Sequence, residues 1–361
     1  MKTLEEMVQV IGTYEGEPIT IMEVCGTHTG AIAAMGIRSL LSDKISLVSG
    51  PGCPVCVTRP EYIDTLCNLA KRNNTCVVSF GDMLRVPGTT QCLKEVMAEG
   101  GNVAMVYSPF DCLTLAMEHP KITYVFAAVG FETTTPIYAM ILKEVIEKKI
   151  TNLKLQTALK TMPEAIGYIC KENTRIAGFI APGHVCTITG TKEYVALAKT
   201  YGMPFVVAGF NVEQIVSALY LLVKLKGTNK VINLYQEVVT EDGNEIAKSL
   251  VAKYFEPCDT VWRGIGIIPG SGLKIRDEYK QFTVEQEVKE ITDMDKQKNT
   301  KEEMARKAQE SVCICHQILL GKALPTDCLL YKRGDCTPEH PVGACMVSNE
   351  GTCNCYKRGG R

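Results

Sequence analysis

Apolar positions recur in short bursts from about residue 19 to residue 268, and the bursts alternate with stretches of helical period. Strands are expected at residues 19–24, 45–49, 76–80, 103–106, 124–129, 176–180, 205–208 and 261–268, most of them closing near Gly or Pro. Between them, residues 61–72, 136–149 and 194–201 repeat their apolar positions with the period of a helix, and the short apolar run 215–225 reads as a buried one. Strand–helix alternation at this spacing predicts parallel sheets covered on both faces by helices.

Two stretches share one order of features. Residues 49–82 read SGPGCPVCVTRPEYIDTLCNLAKRNNTCVVSFGD, and residues 180–211 read IAPGHVCTITGTKEYVALAKTYGMPFVVAGFN. Each runs from a strand through Pro-Gly and a Cys-bearing loop into a helix with Glu-Tyr in its first turn, then into another strand. A repeat of this kind implies two related α/β domains facing a cleft, expected at residues 1–140 and 141–272. Residues 276–310 are highly charged, with two capping boxes (Thr283 with Gln286, Thr300 with Glu303) that suggest a helical connector. Residues 273–361 then form a third, helical or irregular unit rich in cysteine, whose last residues, Lys357 to Arg361, are expected to fray.

Composition narrows the chemistry. The formal net charge is −1 and the basic residues are spread along the chain, so no nucleic-acid surface is expected. The first residues lack the apolar core of a signal peptide, and no apolar run approaches the roughly 18–20 residues of a membrane span. A cytoplasmic protein is expected. In that reducing compartment 17 cysteines, an odd number, point to metal or redox work and not to structural disulfides. Cys67, Cys76, Cys92, Cys112 and Cys170 stand singly in apolar or helical patterns, as small core residues do.

Four strand ends carry candidate chemistry. Gly50-Pro51-Gly52-Cys53-Pro54-Val55-Cys56 precedes a helix signalled by Thr58 and Glu61, so both thiols are expected in a tight, accessible loop. The positive end of that helix would favour thiolate. Cys25 and His28, in Glu23-Val24-Cys25-Gly26-Thr27-His28, have the spacing of a metal-ligand pair, or equally of a core Cys beside a turn. In Gly130-Phe131-Glu132-Thr133-Thr134-Thr135-Pro136 a carboxylate precedes hydroxyls that could orient a ligand or only cap a helix. Ala181-Pro182-Gly183-His184-Val185-Cys186 is the repeat partner of the Cys53 loop, with His184 in place of the first thiol. Cysteines 313, 315, 328, 336, 345, 353 and 355 lack the paired spacing of zinc ribbons and the tight run of ferredoxins, so an iron–sulfur cluster is favoured modestly over zinc. The glycines form neither a P-loop nor a dinucleotide fingerprint.

The motifs CGTHTG, GPGCPVCVT, GFETTTP, APGHVCTITG and CTPEHPVGACMVSNEGTC resemble, in this order, the signatures of the HypD family of hydrogenase maturation factors. The resemblance spans nearly the whole chain. It implies two similar α/β domains, a third domain holding a 4Fe-4S cluster, and a part in building the Fe(CN)2CO group of [NiFe]-hydrogenases. The implied partners are the small chaperone HypC and the cyanide donor HypE, alone or complexed with HypF. By motif, Cys25, Cys53 and Cys56 take the places of the family's essential thiols and of its nascent iron, with Cys53 and Cys56 as a redox pair. His28, Glu132, Thr133, Thr134 and His184 take other cleft positions. Cys328, Cys336, Cys345 and Cys353 are the implied cluster ligands, with Cys315 competing for one place. A thiol–disulfide oxidoreductase fed by the cluster is the alternative activity. Three positions depart from the family pattern: Gly30 stands where a second His is common, Cys186 where Ser is usual, and the tail reads Cys-Asn-Cys-Tyr.

Overall fold

The computed structural model describes residues 2–284 and 312–359. In chain order the elements are α1 (Leu4–Gly12), β1 (Ile19–Glu23), α2 (Gly26–Ala34), β2 (Ile45–Ser49), α3 (Pro60–Ala70), β3 (Thr75–Ser79), α4 (Leu93–Ala98) and β4 (Val103–Met105). There follow α5 (Asp111–Glu118), β5 (Thr123–Gly130), α6 (Thr135–Glu147), β6 (Leu153–Lys160), α7 (Met162–Glu172), β7 (Ile176–Ala181), α8 (Gly183–Thr189) and α9 (Lys192–Tyr201). Then come β8 (Phe205–Val207), α10 (Val212–Lys224), β9 (Val231–Asn233), α11 (Glu245–Tyr254), β10 (Phe255–Trp262) and β11 (Gly266–Ile275). The cysteine-rich end adds three short helices, Cys315–Leu319, Leu329–Arg333 and Thr352–Arg358.

The expected class holds: the protein is α/β with two sheets, parallel except for the antiparallel pairings of β11 with β10 and with β6. The first sheet has the order β2-β1-β7-β8-β9, and the second β10-β11-β6-β5-β3-β4. Central strands such as β5, TYVFAAVG, are buried on both faces and therefore read as unbroken apolar runs. Phe126 of β5 and Leu155 of β6 pack on Tyr138 and Leu142 of α6, while Ile21 of β1 and Val206 of β8 pack on Ile215 and Leu219 of α10.

The expected division at residue 140 does not survive. β6, beyond it, pairs with β5 from Tyr124↔Leu153 to Gly130↔Leu159, and β7 pairs with β1. The chain passes between the sheets three times, through residues 50–74, 161–175 and 234–254. The repeat misleads for the same reason. Its second copy joins neighbouring strands β7 and β8, whereas its first copy leaves the first sheet at β2 and enters the second at β3. The Cys53 loop therefore lies on a crossing between the two units.

Other differences are local. The strand expected at 261–268 is two antiparallel strands turning at Arg263-Gly264-Ile265, with Gly264 at φ +75°. β6 was hidden by its polar positions Lys154, Gln156 and Lys160, and β9 by its shortness. Arg59, not Thr58, occupies the N-cap of α3, with Pro60 opening the helix, and the Thr58 hydroxyl donates to the Pro54 carbonyl at 2.9 Å. Lys357 and Arg358, expected to fray, close the helix Thr352–Arg358, where Tyr356 lies under the Arg38 guanidinium (4.2 Å) and the Lys357 ammonium over the Tyr331 ring (5.3 Å). The Thr283/Gln286 and Thr300/Glu303 caps extend outside the described residues.

The cysteine-rich end packs into the junction between the sheets. Cys328, Cys336, Cys345, Met346 and Cys353 share one core with Phe179 and Phe205 of the first sheet and Trp262 of the second. Hydrogen bonds tie it to both sides: Asn173 Nδ2 to the Leu320 carbonyl (2.9 Å), and Arg85 Nη2 to the Val347 carbonyl (3.1 Å).

Candidate metal and thiol site

Cys25 follows β1 and occupies the N-cap of α2 in extended backbone, and His184 follows β7. In the first sheet β1 continues to β2 on one side while β7 continues to β8 on the other. This is a topological switch point, where loops splay apart and open sheets gather their ligands. The Cys25 thiol faces His184, with Sγ 4.0 Å from Nδ1. Thr27 Oγ1 lies 3.4 Å from the same nitrogen and donates to Glu350 Oε1 at 2.9 Å, which brings the cysteine-rich end onto this crevice. Beneath, the fully buried Glu23 accepts the Cys25 amide at 3.1 Å and the Thr29 hydroxyl at 2.5 Å. Burial pushes the Cys25 thiol up to about 12, only partly offset by the His28 and Thr27 amides, with Glu23 and Glu350 adding to the rise. At rest it is a thiol.

His28 turns the other way. Its Nε2 donates toward the carbonyls of Ala208 (3.2 Å) and Gly209 (3.0 Å), and its buried Nδ1 has no partner. Burial lowers its pKa to about 4, so the ring is neutral and anchors the segment after β8. Phe210 in that segment packs on both His28 (4.7 Å) and His184 (4.2 Å). The spacing thus places Cys25 and His28 on one helix turn, but the thiol's imidazole neighbour is His184.

The Cys53 loop is pressed against Cys25 by its backbone. The Gly26 amide donates to the Gly52 carbonyl at 3.1 Å, and a Cβ on Gly52 would fall 2.6–2.7 Å from Cys25 N, Cys25 Cα and Gly26 N. Glycine is required there by close approach. The Cys53 and Cys56 sulfurs stand 2.6 Å apart, inside non-bonded contact and outside the about 2.05 Å of a covalent bridge. Both residues are buried, at 3% and 2% exposure, contrary to the accessible loop expected. Burial first, and then the Cys345 and Cys53 thiols, hold the Cys56 thiol well above its usual range, so the helix end does not produce a thiolate here.

From Cys56 the thiols continue without a break. Cys345 lies within hydrogen-bonding reach of Cys56, Cys315 and Cys353, and these three thiols hold it well below the usual thiol range. Cys345 is therefore the hub of the group, the sulfur toward which the neighbouring thiols point. Cys313 lies 3.2 Å from Cys315, and Cys336 accepts the Val342 amide at 3.3 Å. Gly343 makes room for the group, since a Cβ there would meet Cys315 Sγ at 2.5 Å and Cys313 Sγ at 2.8 Å. Cys328 is buried at the start of the helix Leu329–Arg333. A cavity of about 440 Å³, lined by Cys56, Arg59, Arg263, Cys313, Cys315 and His316 among others, opens onto these thiols. Among the described residues no group of three or more His, Cys, Asp or Glu side chains is set around a mononuclear metal position. The thiols instead touch one another, a donor set of soft sulfur whose chemistry fits an iron–sulfur cluster.

Glu132 occupies the second sheet's strand end. One carboxyl oxygen accepts the Met162 amide at 2.8 Å, and the other is buried without a partner. Thr133 and Thr134 are half-buried beside it, with Thr134 at the N-cap of α6. Burial raises the Glu132 pKa from 4.5 to about 8. The acid is then neutral when folded and ionised when unfolded through that window. Its contribution to stability is fully present below pH 4.5 and is lost as pH rises through about 8. Wild-type stability measured against Glu132→Gln by urea denaturation should fall by about 1.4 kcal/mol per pH unit across this range and level off above it; a flat difference would refute the assignment.

Sequence reasoning missed Glu23 and Glu350 as the acids around Cys25, because neither falls in a spacing that signals chemistry. Comparison with known proteins then supplies the lineage. A family model named HypD, described as "Hydrogenase formation hypA family", matches residues 2–359. The chain belongs to the HypD family. It is 38% identical over 344 residues to a putative hydrogenase expression/formation protein of Methanocaldococcus jannaschii, covering 94% of this chain and 92% of that one. It is 37% identical over 361 residues to the hydrogenase maturation factor HypD of Cupriavidus necator, covering 96% and 91%. With the factor of the same name from Rhodobacter capsulatus it shares 35% over 357 residues, covering 98% and 92%. As a HypD-family hydrogenase maturation factor it has, among the described residues, no helix long and apolar enough to cross a membrane.

Proposed function

We propose that this HypD-family chain is the scaffold and redox component on which the Fe(CN)2CO group of [NiFe]-hydrogenases is assembled. The observation that carries the reading is the unbroken run of thiols from Cys53 through Cys56 to Cys345, Cys315 and Cys353. Iron is the cargo. Soft thiolates from Cys25 and the Cys53/Cys56 loop suit iron bearing cyanide and carbon monoxide, and binding would displace the proton that burial keeps on Cys25. His184, 4.0 Å from that sulfur, is placed to take the proton. HypC would share the iron and HypE would deliver cyanide.

A 4Fe-4S cluster would be held by four of Cys315, Cys328, Cys336, Cys345 and Cys353, and would supply one-electron redox chemistry there. A Cys53–Cys56 disulfide would return to two thiols by taking up two protons and two electrons, the electrons coming one at a time through the cluster from an external one-electron donor, and would reform when an external oxidant removes them. A free-standing oxidoreductase for protein disulfides needs an accessible attacking sulfur, and the burial of Cys53 and Cys56 supports an internal role instead. Free thiols throughout suit the cytoplasm.

The test is anaerobic co-purification with HypC and HypE, read by infrared spectroscopy. Cyanide and carbonyl bands are expected in the wild type and should vanish in the Cys53→Ser/Cys56→Ser double variant; bands of undiminished intensity would refute the scaffold role of this pair.

A further inference from the structure

Lys160 closes β6, where it pairs with Gly272 of β11, and only 2% of it is exposed. Its amine borders a cavity of about 260 Å³ together with Arg59, Tyr62, Cys258, Asp259 and Lys274. Trp262 covers the amine, with the ring centroid 5.8 Å from Nζ. Two of the charged neighbours are already engaged: Asp259 accepts the Gly270 amide at 2.9 Å, and Lys274 pairs with Glu256 at 2.9 Å. Among the described residues, neither the Lys160 ammonium nor the Arg59 guanidinium has a hydrogen-bond acceptor or a carboxylate partner. Burial, with Arg59 adding to it, lowers the Lys160 pKa to about 7, partly opposed by Cys258. Two basic side chains thus border one cavity in which, among the described residues, neither is in ion-pair contact with a carboxylate, although Asp259 lines the same space; such an arrangement is costly unless something negative completes it.

We propose that this cavity is a binding site for a small oxyanion, of carboxylate or phosphate chemistry, clamped between Lys160 and Arg59. The guanidinium offers a planar fork to two oxygens and the ammonium a point charge to a third, and Thr260 lines the same space. Arg59 also lines the larger cavity that reaches Cys56, so the anion would sit beside the entrance to the thiol run.

Calorimetric titration of the full-length protein with inorganic phosphate, and separately with acetate, tests this. Saturable binding of phosphate alone would assign phosphate chemistry, of acetate alone carboxylate chemistry, and of both the shared oxyanion site. Lys160→Met, which keeps the length and removes the charge, should weaken that binding by about tenfold or more, and Arg59→Gln should do likewise. Should Lys160→Met not fold, wild-type protein with ¹³C-methylated lysines decides: the Lys160 methyl signal should titrate at higher pH when the anion is present. No saturable binding of either anion to the wild type, equal affinity in folded Lys160→Met, or an unmoved Lys160 titration would overturn the proposal.

Discussion

Replacing Cys345 by serine should strip the chain of iron and acid-labile sulfide after anaerobic reconstitution. Cys345 is fully buried, and three other thiols converge on its sulfur. The neighbouring thiols favour the ionised form at Cys345, and thiolate is the form that binds iron. A serine oxygen is harder and does not ionise near neutral pH, so it would not replace the sulfur as an iron ligand. Iron and sulfide content should fall at least about tenfold, the lower end of what losing even a supporting residue costs a metal site. Cys112→Ser is the control, because Cys112 is buried in the second sheet's core among Phe126 and Tyr138. Unchanged iron and sulfide in folded Cys345→Ser would end the case for a cluster on this hub.

Gly52→Ala should damage the Cys25 site directly. Its Cβ would strike the backbone of Cys25 and Gly26, where no side-chain rotation can relieve the clash. Either the loop retreats or β1 and α2 shift, and overpacking of this kind costs about 1–3 kcal/mol or more. The displacement should also uncover Cys25. Denaturant unfolding should give a lower midpoint, and peptide mapping after iodoacetamide treatment of the native protein should find Cys25 labelled faster. A variant with the wild-type midpoint and wild-type labelling would show that the two loops do not depend on each other.

The class of fold was legible because its strongest signals were local. β5 and β7 are apolar runs with clear ends, and the Cys53 loop sits between a strand and a helix as the Gly and Pro residues announce. What stayed hidden was pairing. No periodicity says that β2 and β3, joined by a helix of ordinary length, belong to different sheets. β6 was lost because Gln156 and Lys160, which its pattern presents as solvent-facing, are in fact buried. The acids around Cys25 were invisible for a related reason: Glu350 reaches Thr27 from the far end of the chain. Two departures from the family pattern are neighbours in space: a Cβ on Gly30 would make an ordinary van der Waals contact, 3.9 Å, with Cys355 Sγ.

The three crossings between the sheets have a consequence for how the molecule comes to exist. Neither sheet can be completed by one continuous stretch of chain: β1 waits for β7, and β5 finds β6 only across the point where a cut would have seemed natural. Such interlacing raises the sequence separation of native contacts, which slows folding. It also means that neither half can be swapped, truncated or inherited as a module. The crevice at Cys25 appears only when residues from the start, middle and end of the chain have all arrived, so a newly made chain is incompetent until its last helix has docked.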